Sequence, residues 1–498
     1  MTKRRTTLDL ALPPKRSGTP AYLWLCDVLR GGILAGRLAP GTRLPATREL
    51  ASQYGLARGT VVTAFAQLKA EGYVESRTGS GTYVNRTLPE HWLQVPRLGR
   101  AEGEVRHAPH RTISKFVRRA AVPAYDAPST RAFRANQPAL DLFPTTLWSQ
   151  IAARRLRRAS TSDLQACEPM GYRPLQKALA AYLTTSRGVK CAPEQIAIVS
   201  GVQEALYLAA RVFLSAGDRV CVENPGYGGA TRVFEAFGAK ITSVRVDEEG
   251  MTAPSARLRN VRLAYVTPAH QFPLGISMSL ARRMALLEWA RQSGALIFED
   301  DYDSEYRYSG RPLPALQGLD RHGVVLFAGS FSKVLFPSLR LGYLVVPVDL
   351  VDNFAAIKSI ISRHAPLLEQ AVVCDFMTEG HFARHVRRMR EVHAERLGVL
   401  LECAQQRLQG LLDVSPVEAG LQTVGWLQAG ISAQAAAHAA AARNVEVIPL
   451  SEYCRAGLLQ EALQLGFAPV APQEIRRGVL DLAIALERCT VSQAVLTL

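Results

Sequence analysis

The sequence predicts a multidomain protein in which a small α+β unit precedes a large α/β domain, and three observations predict it. At 498 residues the chain is longer than one core of ordinary size fills. Between residues 20 and 84 short amphipathic helical patterns end in a Gly-rich hairpin, whereas beyond residue 136 strand-like and helix-like runs alternate. The stretch between them carries prolines and arginines with little periodicity, which divides the chain into 18–86, a linker at 87–135 and 136–498.

Composition and charge narrow the function. The chain is 48% hydrophobic and 20% charged, as in globular proteins. No run is apolar for the length of a membrane helix, and the basic N-terminal stretch lacks the apolar core and cleavage site of a secretory signal, so a cytoplasmic location is expected. Eight cysteines are scattered without a C-x-x-C pair, so neither a metal site nor a disulfide framework is expected. Residues 1–135 hold 22 Lys+Arg against 9 Asp+Glu, a balance of +13, which leaves +3 of the total +16 for the rest. Basicity confined to one end of a chain is the footprint of a segment that meets a polyanion, nucleic acid or an anionic membrane.

The helical patterns decide between those two. Leu25, Val28, Leu29 and Ile33 line one face of a helix, and Pro40-Gly41 then turns the chain. In LPATRELASQYG, Thr47 is placed to cap a helix whose inner face is Leu50 and Ala51, with Gly55 as a left-handed stop. A second helix follows from about Arg58 to a stop at Gly72, turning Val61, Ala64, Phe65 and Leu68 inward. Two helices joined by so short a turn form a helix-turn-helix, and the second is long enough to lie in a major groove. YVESRTGSGTYV then predicts a two-stranded wing turning at Thr78–Gly81.

In the large domain the strand-like runs are IAIVS (196–200), RVCVE (219–223), LAYVT (263–267), ALIFED (295–300) and VVLFAGS (324–330), as in a largely parallel sheet covered on both faces. Ligands bind such sheets beyond the carboxyl ends of the strands, so the residues there are the candidates. After the first run, Gly201-Val202-Gln203 opens a helix whose free N–H groups suit a phosphate. NPGYGG puts Tyr227 at the same edge after the second, and Asp300 and Tyr302 end the fourth on one face of an extended segment. After the last, Lys333 stands among Ser330, Ser332 and Arg340: a lysine for a Schiff base, hydroxyls and a guanidinium for a phosphate. EDDYDSE taken alone also reads as an acidic loop or a metal cluster, but no histidine cluster accompanies it.

The segment LPATRELASQYGLARGTVVTAFAQLKAEGYVESRTGSGTYV resembles, without a gap, the winged helix-turn-helix of the GntR family. That resemblance implies that Thr47, Arg48, Arg58, Thr60 and Thr63 face phosphates or base edges of double-stranded DNA, and that the wing around Arg77, Gly79 and Gly81 enters the minor groove. Gly59 stands where many members carry a polar side chain. The segments LDLFPTTLW, GYRPLQKALAAYLTTSRGV, ENPGY, TPAHQFPLG, EDDYDSEYRY and GSFSKVLFPSLRLGYL resemble the fold type I pyridoxal 5'-phosphate (PLP) enzymes of aminotransferase type. Joined to a GntR-type reader, they resemble the MocR/GabR regulators. The implied roles are specific: Lys333 carries the cofactor as an internal aldimine, Asp300 pairs with the ring nitrogen, and Tyr302 meets the ring hydroxyl. Tyr227 stacks on the ring, while the N–H groups of Val202 and Gln203, with Ser330, Ser332 and Arg340, surround the phosphate.

The departures from that pattern carry the functional expectation. The Asn-Pro-x-Gly segment of aminotransferases, whose asparagine meets the ring hydroxyl, is replaced here by His270-Gln271-Phe272-Pro273-Leu274-Gly275, with His270 or Gln271 as its substitute. The position where GABA-responsive members carry an arginine is Gly229, the later carboxylate-binding position offers Gln464, and Arg455 is the remaining basic candidate. A tyrosine that reaches the partner's phosphate in relatives aligns with Ala166. The expectation is therefore a DNA-binding regulator that senses a small amine-type effector, or the cofactor itself, through Lys333, with at most residual half-transamination; an active aminotransferase carrying a DNA reader is the alternative. The resemblance also implies a homodimer, with a head-to-tail arrangement.

Overall fold

The computed structural model describes residues 18–77, 79–88, 114–119, 131–165, 167–255, 258, 260–310, 314–455, 457 and 460–496, the last six by backbone alone. The wing residue Thr78, Ala166 and most of the expected linker lie outside the described residues. The chain divides into two compact units, Met1–Arg111 and Thr112–Leu498.

The first unit holds helices α1 (Ala21–Leu34), α2 (Thr47–Tyr54) and α3 (Arg58–Ala70) and the antiparallel strands β1 (Val74–Arg77) and β2 (Gly81–Val84), with Arg77 opposite Gly81. The inward stripes converge on one core: Leu25, Leu29 and Ile33 of α1 meet Leu50 of α2 and Val61, Ala64 and Leu68 of α3. Cys26, not Val28, completes the α1 face. Arg30 pins α1 to the end of α3 through Glu71 at 2.6 Å. Thr47 is the first residue of α2 rather than its cap; the flanking residue is Ala46, whose N–H donates to Glu49 Oε2 at 3.1 Å. An acidic residue in a first turn takes an orphan amide as a capping hydroxyl does, so the helix starts one residue earlier than expected. Gly55, at φ 64°, makes the turn into α3.

In the second unit an eight-stranded sheet runs in the order β3 (Ile196–Val199), β10 (Gly342–Val345), β9 (Val325–Ser330), β8 (Leu296–Asp301), β7 (Val261–Val266), β4 (Arg219–Asn224), β5 (Lys240–Asp247), β6 (Gly250–Met251). The pairs from β5 through β4, β7 and β8 to β9 are parallel, while β10 runs antiparallel to both neighbours. Alternate residues of β3 fall into different cores, Ile196 and Ile198 in one and Ala197 and Val199 in the other, so both faces are covered. A smaller antiparallel sheet follows, in the order β11 (Leu412–Val414), β12 (Gln422–Leu427), β14 (Ala462–Gly466), β13 (Ile448–Pro449). Within the stretch expected as linker, Lys115–Arg119 is helical. No helix among the described residues is long and apolar enough to cross a membrane.

Candidate functional site

The carboxyl ends of the parallel strands surround a cavity of about 350 Å³. One end is built for an anion. Gly201, at φ 128°, precedes the helix Val202–Phe213, and the N–H groups of Val202 and Gln203 in its first turn have no acceptor within the helix. A Cβ on Gly201 would lie 3.8 Å from Arg340 Nη1, so the guanidinium sits over that helix start. Ser330 Oγ accepts from the Ser332 N–H at 3.1 Å, which starts the short helix Phe331–Val334 and turns Lys333 into the same space.

The other wall is acidic and aromatic. Asp300, 4% exposed, accepts from the Tyr265 hydroxyl at 2.7 Å through Oδ2, while Oδ1 is buried without a partner among the described residues. Burial pushes its carboxyl up to about 7, helped by Asp301 and Asp303 and opposed by Tyr265 and Lys333. Burial likewise pulls the Lys333 amine down to about 8 against the attraction of Asp303 and Asp300. Tyr227 receives a hydrogen bond from Gln203 Nε2 at 2.8 Å, and its ring lies 5.9 Å from that of Phe272.

Nine of the ten residues expected to hold a cofactor line this cavity. His270 is the exception: it lies behind Tyr302, whose hydroxyl is 3.0 Å from His270 Nδ1, and that nitrogen is also 3.0 Å from Asp303 Oδ2. Gln271 does not reach the cavity either, because Nε2 is spent on the carbonyls of Pro225 and Phe272. The residue spacing could not show this, since both side chains turn into the core onto partners distant in sequence, among them Asp303 and Pro225. A Cβ at Gly229 would overlap the Tyr227 ring and the Gln203 amide as they stand, so a side chain there requires those two groups to shift. Gln464 is buried with Oε1 on the Tyr453 hydroxyl at 2.7 Å, and Arg455 pairs with Glu235 at 2.9 Å; neither lines the cavity. The lining residues missed in the sequence are Asn136, Tyr265, Phe272 and Pro337, while Gly201, expected at the start of the phosphate-suited helix, lines the cavity.

Asp300 gives a test that needs no ligand. A buried carboxylate whose folded value is raised weakens the fold above that value, and the penalty shrinks as pH falls and vanishes below the unfolded value near 4. In cofactor-free protein, Asp300→Asn is therefore expected to raise the unfolding temperature at pH 8. The gain shrinks as pH falls through 7 and is gone by about pH 4. Calorimetry of the two proteins across that range checks it, and a gain that grows toward acid would refute it.

In the first unit Arg48, Arg58 and Thr63 are exposed on α2 and α3, while Thr47 and Thr60 are half-buried. The wing glycines Gly79 and Gly81 are exposed at φ 75° and 114°. Arg77 is held by Glu75 at 2.7 Å and lies over the Tyr83 ring at 4.7 Å. Arg43, which sequence reasoning missed, lies against Gly81: a Cβ there would stand 3.0 Å from Arg43 Nε.

Fold and site define a class: a helix-turn-helix DNA reader carried on the same chain as an aminotransferase-fold domain. Residues 22–84 match the bacterial regulatory proteins of the gntR family, and residues 133–479 match aminotransferase class I and II. The chain is 39% identical to "Probable rhizopine catabolism regulatory protein MocR" of Rhizobium meliloti, across 94% of each chain. It is 31% identical to the pyridoxine biosynthesis transcriptional regulator PdxR of Corynebacterium glutamicum, across 84% of this chain and 85% of that one. Among solved structures, LysN, the alpha-aminoadipate aminotransferase of Thermus thermophilus in complex with N-(5'-phosphopyridoxyl)-L-leucine, matches with a TM-score of 0.67 and 30% identity, covering 72% of this chain and 92% of that one. The chain belongs to the MocR/GabR-type transcription regulators of the GntR family, with a DNA-binding reader and a fold type I aminotransferase domain.

Proposed function

We propose that this regulator is switched by ligand at a PLP site: residues 18–86 read an operator in double-stranded DNA, 87–135 link, and 136–498 hold PLP on Lys333. The observation that carries the reading is that Lys333, Asp300, Arg340 and the start of the Val202–Phe213 helix share one cavity. The residues fit the group. Asp300 Oδ1 is a buried acceptor without a donor, a costly arrangement that a protonated ring nitrogen relieves. Arg340, Ser330, Ser332 and the free N–H groups of Val202 and Gln203 suit a phosphate dianion. Tyr227 and Tyr302 would hold the ring.

Bound PLP supplies an aldehyde that captures primary amines reversibly and a ring that draws electrons. The protein's residues set how this is used. Lys333, with its amine near 8, is in part a free base at neutral pH and thus a competent nucleophile. Apart from Lys333, Arg340 is the one basic side chain lining the cavity among the described residues, and it would be taken up in holding the phosphate. An amine without a carboxylate, or the cofactor itself, therefore suits the site better than an ordinary amino acid. The similarity to regulators named for pyridoxine biosynthesis and for rhizopine catabolism supports a small-molecule signal. The protein works in the cytoplasm as a homodimer with a head-to-tail arrangement, and turns over no substrate continuously.

The test is operator binding measured without ligand, with PLP, and with PLP plus a panel of amines, using DNA upstream of the coding sequence and its neighbours. Operator affinity is expected to change with PLP or with an amine lacking a carboxylate. Continuous release of a carbonyl product beyond one equivalent per site would instead establish the aminotransferase reading.

A further inference from the structure

Lys333 Nζ donates to the backbone carbonyl of Asn136 at 2.5 Å, its one hydrogen bond among the described residues. The Asn136 N–H donates in turn to Gln422 Oε1 at 2.9 Å. Asn136 holds a left-handed φ of 63°, which asparagine tolerates better than most residues, so the carbonyl is placed by a specific backbone turn.

This turn ends the stretch that arrives from the linker. Just before it, the Ala132 and Phe133 carbonyls accept from Glu446 and Gly466 N–H groups at 3.0 and 2.8 Å, and Phe133 is fully buried. A Cβ on Gly466 would overlap the Arg134 carbonyl, so β14 is shaped to let the segment pass. Farther upstream, Phe116 of the Lys115–Arg119 helix meets Tyr207 and Phe237 edge-on, with ring centroids at 6.1 and 5.2 Å. Tyr207 belongs to the helix that Val202 and Gln203 open, and Phe237 ends the helix that begins just after Tyr227. The described parts of the linker region thus touch the backs of two cavity helices and the lysine itself.

We propose that Asn136 is a positioning residue that holds the amine of Lys333 only while that amine is free, so that occupancy of Lys333 is transmitted to the chain leading from the reader. The inference rests on reading Lys333 as the PLP lysine. A neutral lysine amine that condenses with a carbonyl gives both N–H hydrogens to the departing water as its C=N bond forms, so the donor to Asn136 is lost in that state. A contact present in one state stabilises that state, and loosening it shifts the balance to the other.

That linkage fixes a sign. Gln422 is 2% exposed and its Nε2 has no partner among the described residues, so Gln422→Leu removes the acceptor of the Asn136 N–H without stranding another donor there. It is expected to tighten PLP binding about three- to tenfold in a visible-band titration of the full chain, the size of one hydrogen bond. A merely structural role predicts weaker binding. In parallel, PLP should speed amide exchange of residues 131–136 in the wild type by a similar factor, roughly three- to tenfold. Lys333→Met should exchange fast with or without PLP. If the wild type gains the visible band while exchange at 131–136 is unchanged, or if Gln422→Leu binds PLP more weakly, the coupling is wrong and the cofactor reading stands. If no band forms, the cofactor reading falls and the coupling falls with it.

Discussion

Lys333→Ala is expected to abolish the visible band that PLP gives the wild type and to weaken PLP retention at least about a hundredfold, equivalent to roughly 2.7 kcal/mol. The anion-suited end of the cavity is untouched by the substitution, so residual, non-covalent binding through Arg340 and the Val202–Phe213 helix start is expected to remain. The fold should not suffer. The lost side chain is an amine held below its usual range by burial, and its hydrogen bond goes to a single carbonyl. Thermal unfolding without PLP is expected to move little, while operator affinity no longer responds to PLP or amines. A variant without the band that still responds to ligand would mean that the large domain signals by some other site; one that regulates normally without any ligand would make that domain a structural support.

How much of this was legible in the sequence follows from the range of each interaction. The reader was readable because its signals are local: the stripe Val61, Ala64, Phe65, Leu68 and the stop at Gly55 are set by residues a few positions apart. The strands that lead to Gly201, Asp300 and Lys333 were likewise visible as apolar runs with punctuated ends. β10 was not, because GYLV is too short to be told from a buried helical segment, and its antiparallel place between β3 and β9 is a matter of topology. The direction of side chains around residue 270 was also invisible. His270 occupies its slot because Gly420, 150 positions on, has no Cβ to fill it. The Asn136 carbonyl is the extreme case, since a backbone oxygen leaves no residue-type signal and its partner lies 197 positions away. Tyr265 looked like an ordinary core aromatic of a strand, and only the neighbouring β8 carboxylate gives its hydroxyl a purpose.

In the reader, Arg58→Ala is expected to lower affinity for operator DNA about 10- to 100-fold, on the order of 1–3 kcal/mol, with the PLP band unchanged. Arg58 is exposed at the first residue of α3, the end of a recognition helix that enters a groove, and forms no ion pair among the described residues. It therefore reaches DNA without first giving up a partner. Arg77 differs, because its guanidinium is already held by Glu75 and the Tyr83 ring, and a DNA contact must break or share those interactions. Arg77→Ala is accordingly expected to cost less than Arg58→Ala. Salt dependence separates the two kinds of contact: a side chain on a phosphate lowers the slope of log affinity against log salt by about 1 when removed, whereas one on a base edge relaxes sequence preference. Binding isotherms at several salt concentrations, on operator and on scrambled DNA, measure both. A larger loss for Arg77→Ala than for Arg58→Ala would show that the wing, freed from Glu75, carries more of the grip than the helix, and the order of importance drawn from the unbound side chains would be reversed.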